Sequence, residues 1–360
     1  MSSDLPINGA ETNRQARQAR LEDIAREAGV SISTVSRALN GSTKISAKTR
    51  TRIQEIADAS NYGIRRHGRA YSSPSLHTIA LVLPRPHGQD SRISEAFFLD
   101  LIGGIGDALR EQRCDLLISH LSPANHDNLA SLFARLNADG VIFIGQGDFH
   151  EELNALSRSH VPFVVWGAQL QPQTYPVVGG DNYDGGFRLA SHLIRLGRRK
   201  LVFLGDVIAP EVMLRYQGFQ DAVAQRGLDV KAPIACEFHS DDAHGQVMAL
   251  IDDGVEFDAI VAGNDIAAIG AMQAVKSAGM RVPEDISVVG YDDVRLAAYA
   301  SPPLTTIRQD VGKAGDLLVG KLLRQLKGRK VQSTIMPAEL IIRDSCGASA
   351  GYPQKPSFAS

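Results

Sequence analysis

The chain has 360 residues, 44% hydrophobic and 22% charged, which excludes a single small domain and leaves room for more than one packed core. The net charge of -2 hides an asymmetry: residues 14–69 hold 12 Lys/Arg against 5 Asp/Glu and the rest of the chain 26 against 35, so a basic block precedes an acidic body. No run approaches bilayer length, residues 1–20 lack the apolar stretch of an export signal, and Cys114, Cys236 and Cys346 show no CxxC or zinc-finger spacing, so membrane insertion, export, a metal site and a cofactor are not expected and the cytoplasm is.

The first elements are three short helices. Leu21, Ile24, Ala25 and Ala28 lie at helical spacing, and Gly29 follows where a left-handed cap is wanted. Ser31 offers an N-cap oxygen to a second helix with Val35, Ala38 and Leu39 inward, closed by Asn40-Gly41. Ser46 caps a third, with Thr49, Ile53, Ile56 and Ala57 inward. The outward face of the second helix carries Ile32, Ser33, Thr34, Ser36 and Arg37, with Lys44, Lys48, Arg50 and Arg52 close behind. Short polar groups and arginine suit a major groove and its flanking phosphates.

The wording AGVSISTVSRALN, within residues 21–63, resembles the DNA-binding domain of the LacI/GalR family of bacterial transcriptional regulators. The resemblance implies a helix-turn-helix over residues 20–63, with Ile32 and Ser33 at base edges, Arg37 at bases or phosphate, and Ser31, Thr34, Asn40 and Lys44 near phosphates. Arg20 stands where the family usually caps the first helix with Thr or Ser, which leaves Glu22 and Asp23 to support that end. A hinge over residues 64–76 also departs from the family pattern. Tyr71 stands at the usual Leu wedge position, after Arg65, Arg66, His67 and Arg69. Either Arg69 and its neighbours enter the minor groove while Tyr71 kinks a base step, or the segment is a linker that only attracts phosphates.

From residue 78 apolar runs alternate with amphipathic stretches: TIALVL, a helix near 96–112, CDLLIS, a helix near 126–137, GVIFIG, a helix, and PFVVW. The pattern is expected to restart in a second sheet at VVGGDN, followed by KLVFLG, DAIVAG and DISVVGYDD with helices near 182–196, 211–226, 243–252 and 265–278. Such alternation implies α/β architecture, parallel sheets covered on both faces. This body is similar to the two-lobed, periplasmic-binding-protein-like sensor of the same family, through VGGDNYDGG, RYQGF, AGNDIAAIGAM, VPEDISVVGYDD and SPPLTTIRQD. The expected fold is therefore an N-terminal three-helix helix-turn-helix domain plus a doubly wound two-lobed sensor over 77–346, with a disordered tail at 1–19 and a flexible one at 347–360.

In open α/β sheets ligands bind beyond the carboxyl ends of the strands, which singles out Arg85, His87, Gln146, Trp166, Asp181, Arg215, Asn264, Asp292 and Gln309. Amides, carboxylates and arginine satisfy the paired hydroxyls of a polyol, and an aromatic face covers its C–H surface. The resemblance implies ligand roles for Arg215, Asn264, Asp292 and Gln309, with Phe97 and Phe98 at the cleft mouth; Trp166 and Gln146 are further candidates. Asp292 and Asn264 are equally suited to capping a helix or forming a turn. Gly167 stands where many sugar-binding relatives carry an acid, and Val311 where some carry an aromatic, which implies a different ligand.

No GxSxG, P-loop, HExxH or complete GxGxxG follows a strand, and Gly145-Gln146-Gly147 lacks the third glycine, so no catalytic residues and no enzyme activity are expected. The resemblance implies a homodimer on near-palindromic operator DNA, a repressor of carbohydrate-metabolism genes controlled by a sugar, residing in the bacterial cytoplasm and on the nucleoid when operator-bound. A nucleobase or nucleoside effector, or action with a corepressor, stays open. The C-terminal GASAGYPQKPSFAS has no apolar heptads to build a coiled-coil tetramer.

Overall fold

In the computed structural model, the residues described are 21–39, 42, 45–59, 77–83, 96–119, 129, 133, 136–147, 149–159 and 161–348. Asn40, Lys44, Arg69 and Tyr71, with Arg85 and His87, lie outside them. The chain divides into two units, Met1–Ser72 and Ser73–Ser360. No helix among the described residues is long and apolar enough to cross a membrane.

The first unit is built from α1 (Leu21–Ala28), α2 (Ile32–Leu39) and α3 (Ala47–Ala59). Gly29 takes φ +69° to stop α1. Ser31 Oγ accepts from Thr34 N (3.2 Å) and Ser46 Oγ from Thr49 N (3.2 Å), the two N-caps anticipated from sequence. Ile24, Val35 and Ile53 are at most 1% exposed and meet Ala25, Ala28, Ala38 and Ala57 in one core. Each of the three large side chains contributes roughly 1.5–3 kcal/mol of burial, so so small a unit has little margin.

The second unit holds two sheets. The first runs β10-β5-β4-β3-β1-β2 and the second β11-β9-β8-β7-β6. Sheet one comprises β1 (Thr78–Val82), β2 (Asp115–Ser119), β3 (Gly140–Ile144), β4 (Phe163–Trp166), β5 (Val177–Gly180) and β10 (Thr334–Met336), all parallel. Sheet two comprises β6 (Leu201–Leu204), β7 (Ala259–Ala262), β8 (Ser287–Asp292) and β9 (Thr305–Arg308), parallel, with β11 (Glu339–Ile341) antiparallel to β9. Interior strands such as GVIFI, AIVA and SVVGYD are buried throughout, as strands covered on both faces must be. Edge strand β2 is not: Leu117 and Ile118 are 39% and 46% exposed.

Sheet one is covered by α4 (Ala96–Glu111) and α5 (His150–Leu156); Leu129, Phe133 and Leu136, in the stretch where a helix near 126–137 was expected, are helical. Sheet two carries α6 (Asn182–Arg195), α7 (Pro210–Ala224), α8 (Ser240–Asp252), α9 (Asp265–Ser277) and α10 (Arg295–Tyr299). The last long helix, α11 (Val311–Leu326), follows β9 of sheet two yet packs with α4 on sheet one.

One expectation is corrected. VVGG does not open the second sheet; β5 pairs with β4 (Val165↔Val177, Trp166↔Val178) and belongs to the first. Parallel neighbours usually need a crossover of a dozen or more residues, commonly helical. Here residues 167–176 make it without a helix, anchored by buried Tyr175, so the apolar spacing reported a strand but not its partner. Among the described residues the chain passes between lobes after β5, after β9 and after β10.

Helices α6 and α7 touch backbone to backbone. A Cβ added at Gly186 would sit 1.9 Å from the Arg215 carbonyl oxygen. Gly186→Ala must push α7 away, at a cost of about 1–3 kcal/mol. The urea midpoint of the full chain's sensor transition is expected to fall accordingly, while an Ala at exposed Gly245, where a Cβ meets nothing within 4 Å, leaves it unchanged or raises it.

Candidate functional site

The parallel strands of each lobe deliver their carboxyl ends to the side where the chain crosses between lobes. Gly180, ending β5, lies so close to the β9 exit that a Cβ there would be 3.1 Å from Gln309 Oε1 and 3.8 Å from the Tyr291 hydroxyl. Residues from both sheets therefore meet at one place.

Arg215 is the centre of that place. It does not follow a strand, as anticipated, but stands in the second turn of α7. Its Nε donates to Asn182 Oδ1 (2.9 Å), its Nη1 to the Gly263 carbonyl (2.5 Å), and Nη1 lies 4.0 Å from Asp292 Oδ1. The guanidinium carbon sits 3.6 Å from the centroid of the Tyr291 ring, a cation–π contact. Arg215 and Asp292 are only 6% and 7% exposed.

Asp292 holds φ +118° and Asp293 φ +58°, so the chain leaving β8 makes a turn unusual for non-glycine residues. Two sets of contacts maintain it. Gln309 Nε2 donates to Asp292 Oδ1 (2.7 Å), and Asp293 receives Arg343 Nη2 (2.6 Å) and Arg308 Nε (2.9 Å). Behind them Asp265 accepts from Thr306 Oγ1 (2.6 Å) and Val294 N (2.9 Å).

The carboxyls here resist ionisation. Burial pushes Asp292 up to about 6 against the opposing pull of Arg215 and Gln309. Asp265 is held well above the usual range by burial and then by the charge of Asp292. Burial also raises Glu211, on the first turn of α7, although the Ala168 amide and Arg215 favour its charged form. One guanidinium thus serves several carboxyls, and hydrogen-bond donors or positive charge are welcome beside them.

The other anticipated residues take distinct places. Asn264 caps α9, its Oδ1 accepting from Ala267 N (2.7 Å), while the carbonyl of neighbouring Gly263 holds Arg215. Asp181 caps α6 through Asp184 N (3.0 Å). Gln146 is fully buried, donating to Ala168 O (2.6 Å) and Tyr175 Oη (3.1 Å) and accepting from Ala168 N (2.9 Å), so its amide is engaged with protein and holds the β4 exit loop. Phe98, Phe97 and Trp166 form a chain of rings at 5.9 Å spacing; the two phenylalanines are half-buried and Trp166 is 5% exposed. Gly145 and Gly147 take φ +85° and +49° in a turn around Gln146.

Sequence reading missed Asn182, Tyr291, Asp265 and Glu211. The first three lie inside the quoted stretches VGGDNYDGG, VPEDISVVGYDD and AGNDIAAIGAM, but their roles depend on contacts 29 or more residues away in the chain, such as Arg215–Asn182 and Val294–Asp265. Glu211 had no local signal. A Cβ at Gly167 would be 2.4 Å from Gln146 Oε1 and 3.0 Å from Glu211 Oε1, so a carboxyl from the second lobe fills space beside the residue where an acid was noted as missing.

In the first unit, exposed Ser33 and Arg37 are tied on one face of α2: Arg37 Nε donates to Ser33 O (3.0 Å) and Nη2 to Ser33 Oγ (3.1 Å). Ser31 Oγ also meets Ser33 Oγ (2.9 Å) and Thr34 Oγ1 (2.8 Å), and Ile32 projects from the same face, 48% exposed. Arg50, counted among the flanking cations, instead donates to Ile45 O (3.1 Å) and Ser42 O (3.4 Å) and braces the turn before α3.

Residues 20–63 match the family described as bacterial regulatory proteins, lacI family, and residues 190–346 match the periplasmic binding protein-like domain. The chain is similar to the HTH-type transcriptional regulator DegA of Bacillus subtilis (strain 168), 29% identical over 333 residues that cover 90% of this chain and 96% of DegA. It is also similar to a solved transcriptional regulator CelR–cellobiose complex (TM-score 0.65, 26% identity, 91% and 99% covered). A lac repressor dimer bound to operator and the anti-inducer ONPF matches with TM-score 0.66 and 25% identity, covering 92% of this chain and 99% of that one. With the capped helix-turn-helix, the two parallel-sheet lobes and the order of both in one chain, the protein carries a lacI-family regulatory domain followed by a periplasmic binding protein-like domain, as its relatives named HTH-type transcriptional regulators suggest.

Proposed function

We propose that this regulator binds operator DNA as a homodimer through α2, and that a neutral, hydroxyl-rich small molecule held between the lobes, most simply a sugar, controls its affinity. The observation that carries the effector assignment is the gathering of Arg215, Asp292 and Gln309 in one lobe, with Gln309 beside Gly180 of the other and Glu211 beside its Gly167, which follows Trp166 of the Phe98–Phe97–Trp166 aromatic wall. Acceptor-rich carboxyls beside one already engaged guanidinium favour hydroxyl or ammonium donors over phosphate or carboxylate. The solved relative's cellobiose, a sugar, agrees with this choice. The aromatic wall also suits a nucleoside, which is the second reading.

Regulation follows from linkage. An effector that contacts both lobes favours one lobe arrangement, and its coupling to DNA is reciprocal. Asn264, Asp181 and Gln146 then act by positioning, through Asn264 Oδ1 and Asp181 Oδ1 on helix N-termini and both amide atoms of Gln146 on the β4 exit loop. Repression of carbohydrate-metabolism genes and residence in the bacterial cytoplasm accord with such an effector. The dimer is supported by apolar surface: Leu117 and Ile118 on unpaired edge strand β2, and Leu296 and Tyr299, 54% and 86% exposed, on α10.

A thermal-shift screen of neutral sugars, sugar phosphates, sugar acids and nucleosides is expected to give its largest shifts with neutral sugars. Arg215→Ala should weaken the best ligand by about 10- to 100-fold while DNA affinity without ligand is retained; undiminished ligand affinity by calorimetry would refute the assignment.

Glu211 adds a pH signature. Its raised pKa means that ionised Glu211 costs stability at neutral pH, and the cost disappears as pH falls through the raised value towards the ordinary 4.5. Glu211→Gln should therefore melt above wild type at pH 7–8, with the gap closing towards pH 4.5; a gap independent of pH would contradict this. Taking the difference between the two proteins removes the same-signed contributions of Asp265 and Asp292.

For DNA, Arg37→Ala is expected to abolish selection of an operator recovered from a random-sequence library while leaving the sensor's melting transition in place. Selection that survives the substitution would remove Arg37 from the reading surface.

A further inference from the structure

Two stretches of the acidic body hold several cations and no acid: residues 185–205, where Arg188 and Lys200 pair with Asp184 and Glu256 while Arg198 and Arg199 donate to backbone carbonyls, and a second one after residue 316 that the effector site does not use. From Leu317 to Ala338 there is no Asp or Glu, but there are Lys321, Arg324, Lys327, Arg329 and Lys330. Arg324, Lys327, Arg329 and Lys330 are all exposed, and none forms an ion pair among the described residues. Cations in the last turn of α11 complement its dipole, which accounts for Arg324. Arg329 and Lys330 lie beyond the helix and have no such reason.

The fold puts this segment at one defined edge of the first lobe. Gln325 Oε1 accepts from Phe163 N (3.1 Å) and its Nε2 donates to Phe163 O (2.8 Å), at the start of β4; Ser333 Oγ accepts from Val177 N (3.1 Å), at the start of β5. Because all strands of this sheet are parallel, β1 starts at the same edge, with β3 between it and β4. At about 4.8 Å per strand, β1 begins about 10 Å from β4. His77 brings the chain into the lobe there, and the 18 residues from Ala59 to His77 reach at most about 65 Å. Exposed Arg113, before β2, and Arg158, after α5, stand at the same edge, together with Asp115 at the start of β2 and Asp139, which accepts from Thr78 N and faces His77.

We infer that this edge of the first lobe, centred on Arg324, Lys327, Arg329 and Lys330, is a second DNA-contacting surface that binds backbone phosphates of duplex flanking the half-sites. The occupant follows from charge complementarity and from chain entry: four exposed cations with no ion pair among the described residues stand at this edge, and it is the edge where the chain from the DNA-binding unit enters the lobe. Such contacts carry no base specificity and add to affinity through counterion release. The inference rests on operator binding by the first unit only for bringing duplex within reach.

The test uses the full chain, a 40-bp random-sequence duplex and fluorescence anisotropy between about 50 and 200 mM KCl. The variant combines Arg324→Gln, Lys327→Gln, Arg329→Gln and Lys330→Gln; a second carries only Arg329→Gln and Lys330→Gln, which lie outside α11 and spare its packing. A charge-matched control combines Arg195→Gln, Arg226→Gln, Lys231→Gln and Lys276→Gln in the second lobe. With about 0.9 lost per phosphate contact, the slope of log affinity against log salt should fall in magnitude, for each protomer on the duplex, by roughly 2–4 in the quadruple and 1–2 in the double variant. The control should stay within about 0.5 of wild type. An unchanged slope in the double variant, or an equal fall in the control, overturns the proposal. So does an unchanged DNA slope with lost binding to phosphatidylserine vesicles, which would assign the edge to a lipid surface. Abolishing operator selection with Arg37→Ala, while the random-duplex slope persists, separates this surface from the reading helix.

Discussion

The buried guanidinium of Arg215 organises the sensor. It stands on α7, takes its acceptors from Asn182 at the start of α6 and from the Gly263 carbonyl at the exit of β7, lies over Tyr291 of β8 and faces Asp292 at the end of that strand. A charge this deeply desolvated is tolerated only when it is paired and hydrogen-bonded. Four elements are therefore constrained to converge around one group. The backbone approach of Gly186 to Arg215 serves the same end, because any side chain there would displace the helix that carries the arginine.

That convergence fixes the chemistry of the cleft. Arg215 is satisfied mainly by neutral acceptors and by Asp292, so it adds little free positive charge. Burial raises Asp265, Asp292 and Glu211 together. The carboxyls are acceptors held in a poorly solvated place, and a ligand that brings donors relieves them. Glu211 differs from the rest in reach: it extends from the second lobe to Gly167 of the first, so its interactions are sensitive to how the lobes meet.

The DNA-reading unit follows a different economy. Among the described residues its core is Ile24, Val35, Ile53 and four alanines with Leu21, Val30, Ile45 and Ile56 packed against them, and the N-termini of α2 and α3 are held by single hydroxyl caps. The serines and arginine on α2 are tied to one another, which orders their donors before any duplex is met. Arg50 shows the cost of reading cations by position alone: one of the arginines behind α2 braces a turn through backbone carbonyls.

How much was legible depended on the range of the interactions. The three helices, their Ser31 and Ser46 caps, the Gly29 stop and most strand and helix spans followed from local chemistry, because capping and apolar periodicity act within a few residues. Arg215, Asp292 and Gln309 were named as ligand residues from the strand-end rule and from resemblance, but not their contacts with one another, and Asn264 had two local readings of which the helix cap is one the structure realises. Tertiary structure alone decided that β5 joins the first sheet, that α11 returns to it after β9, and that Glu211 faces Gly167. The sequence by itself determined which residues prefer helix, strand or cap. Which lobe each element joined, and which buried charges share a partner, came only from the packing, since those energies depend on neighbours distant in the chain and on the water that burial removes.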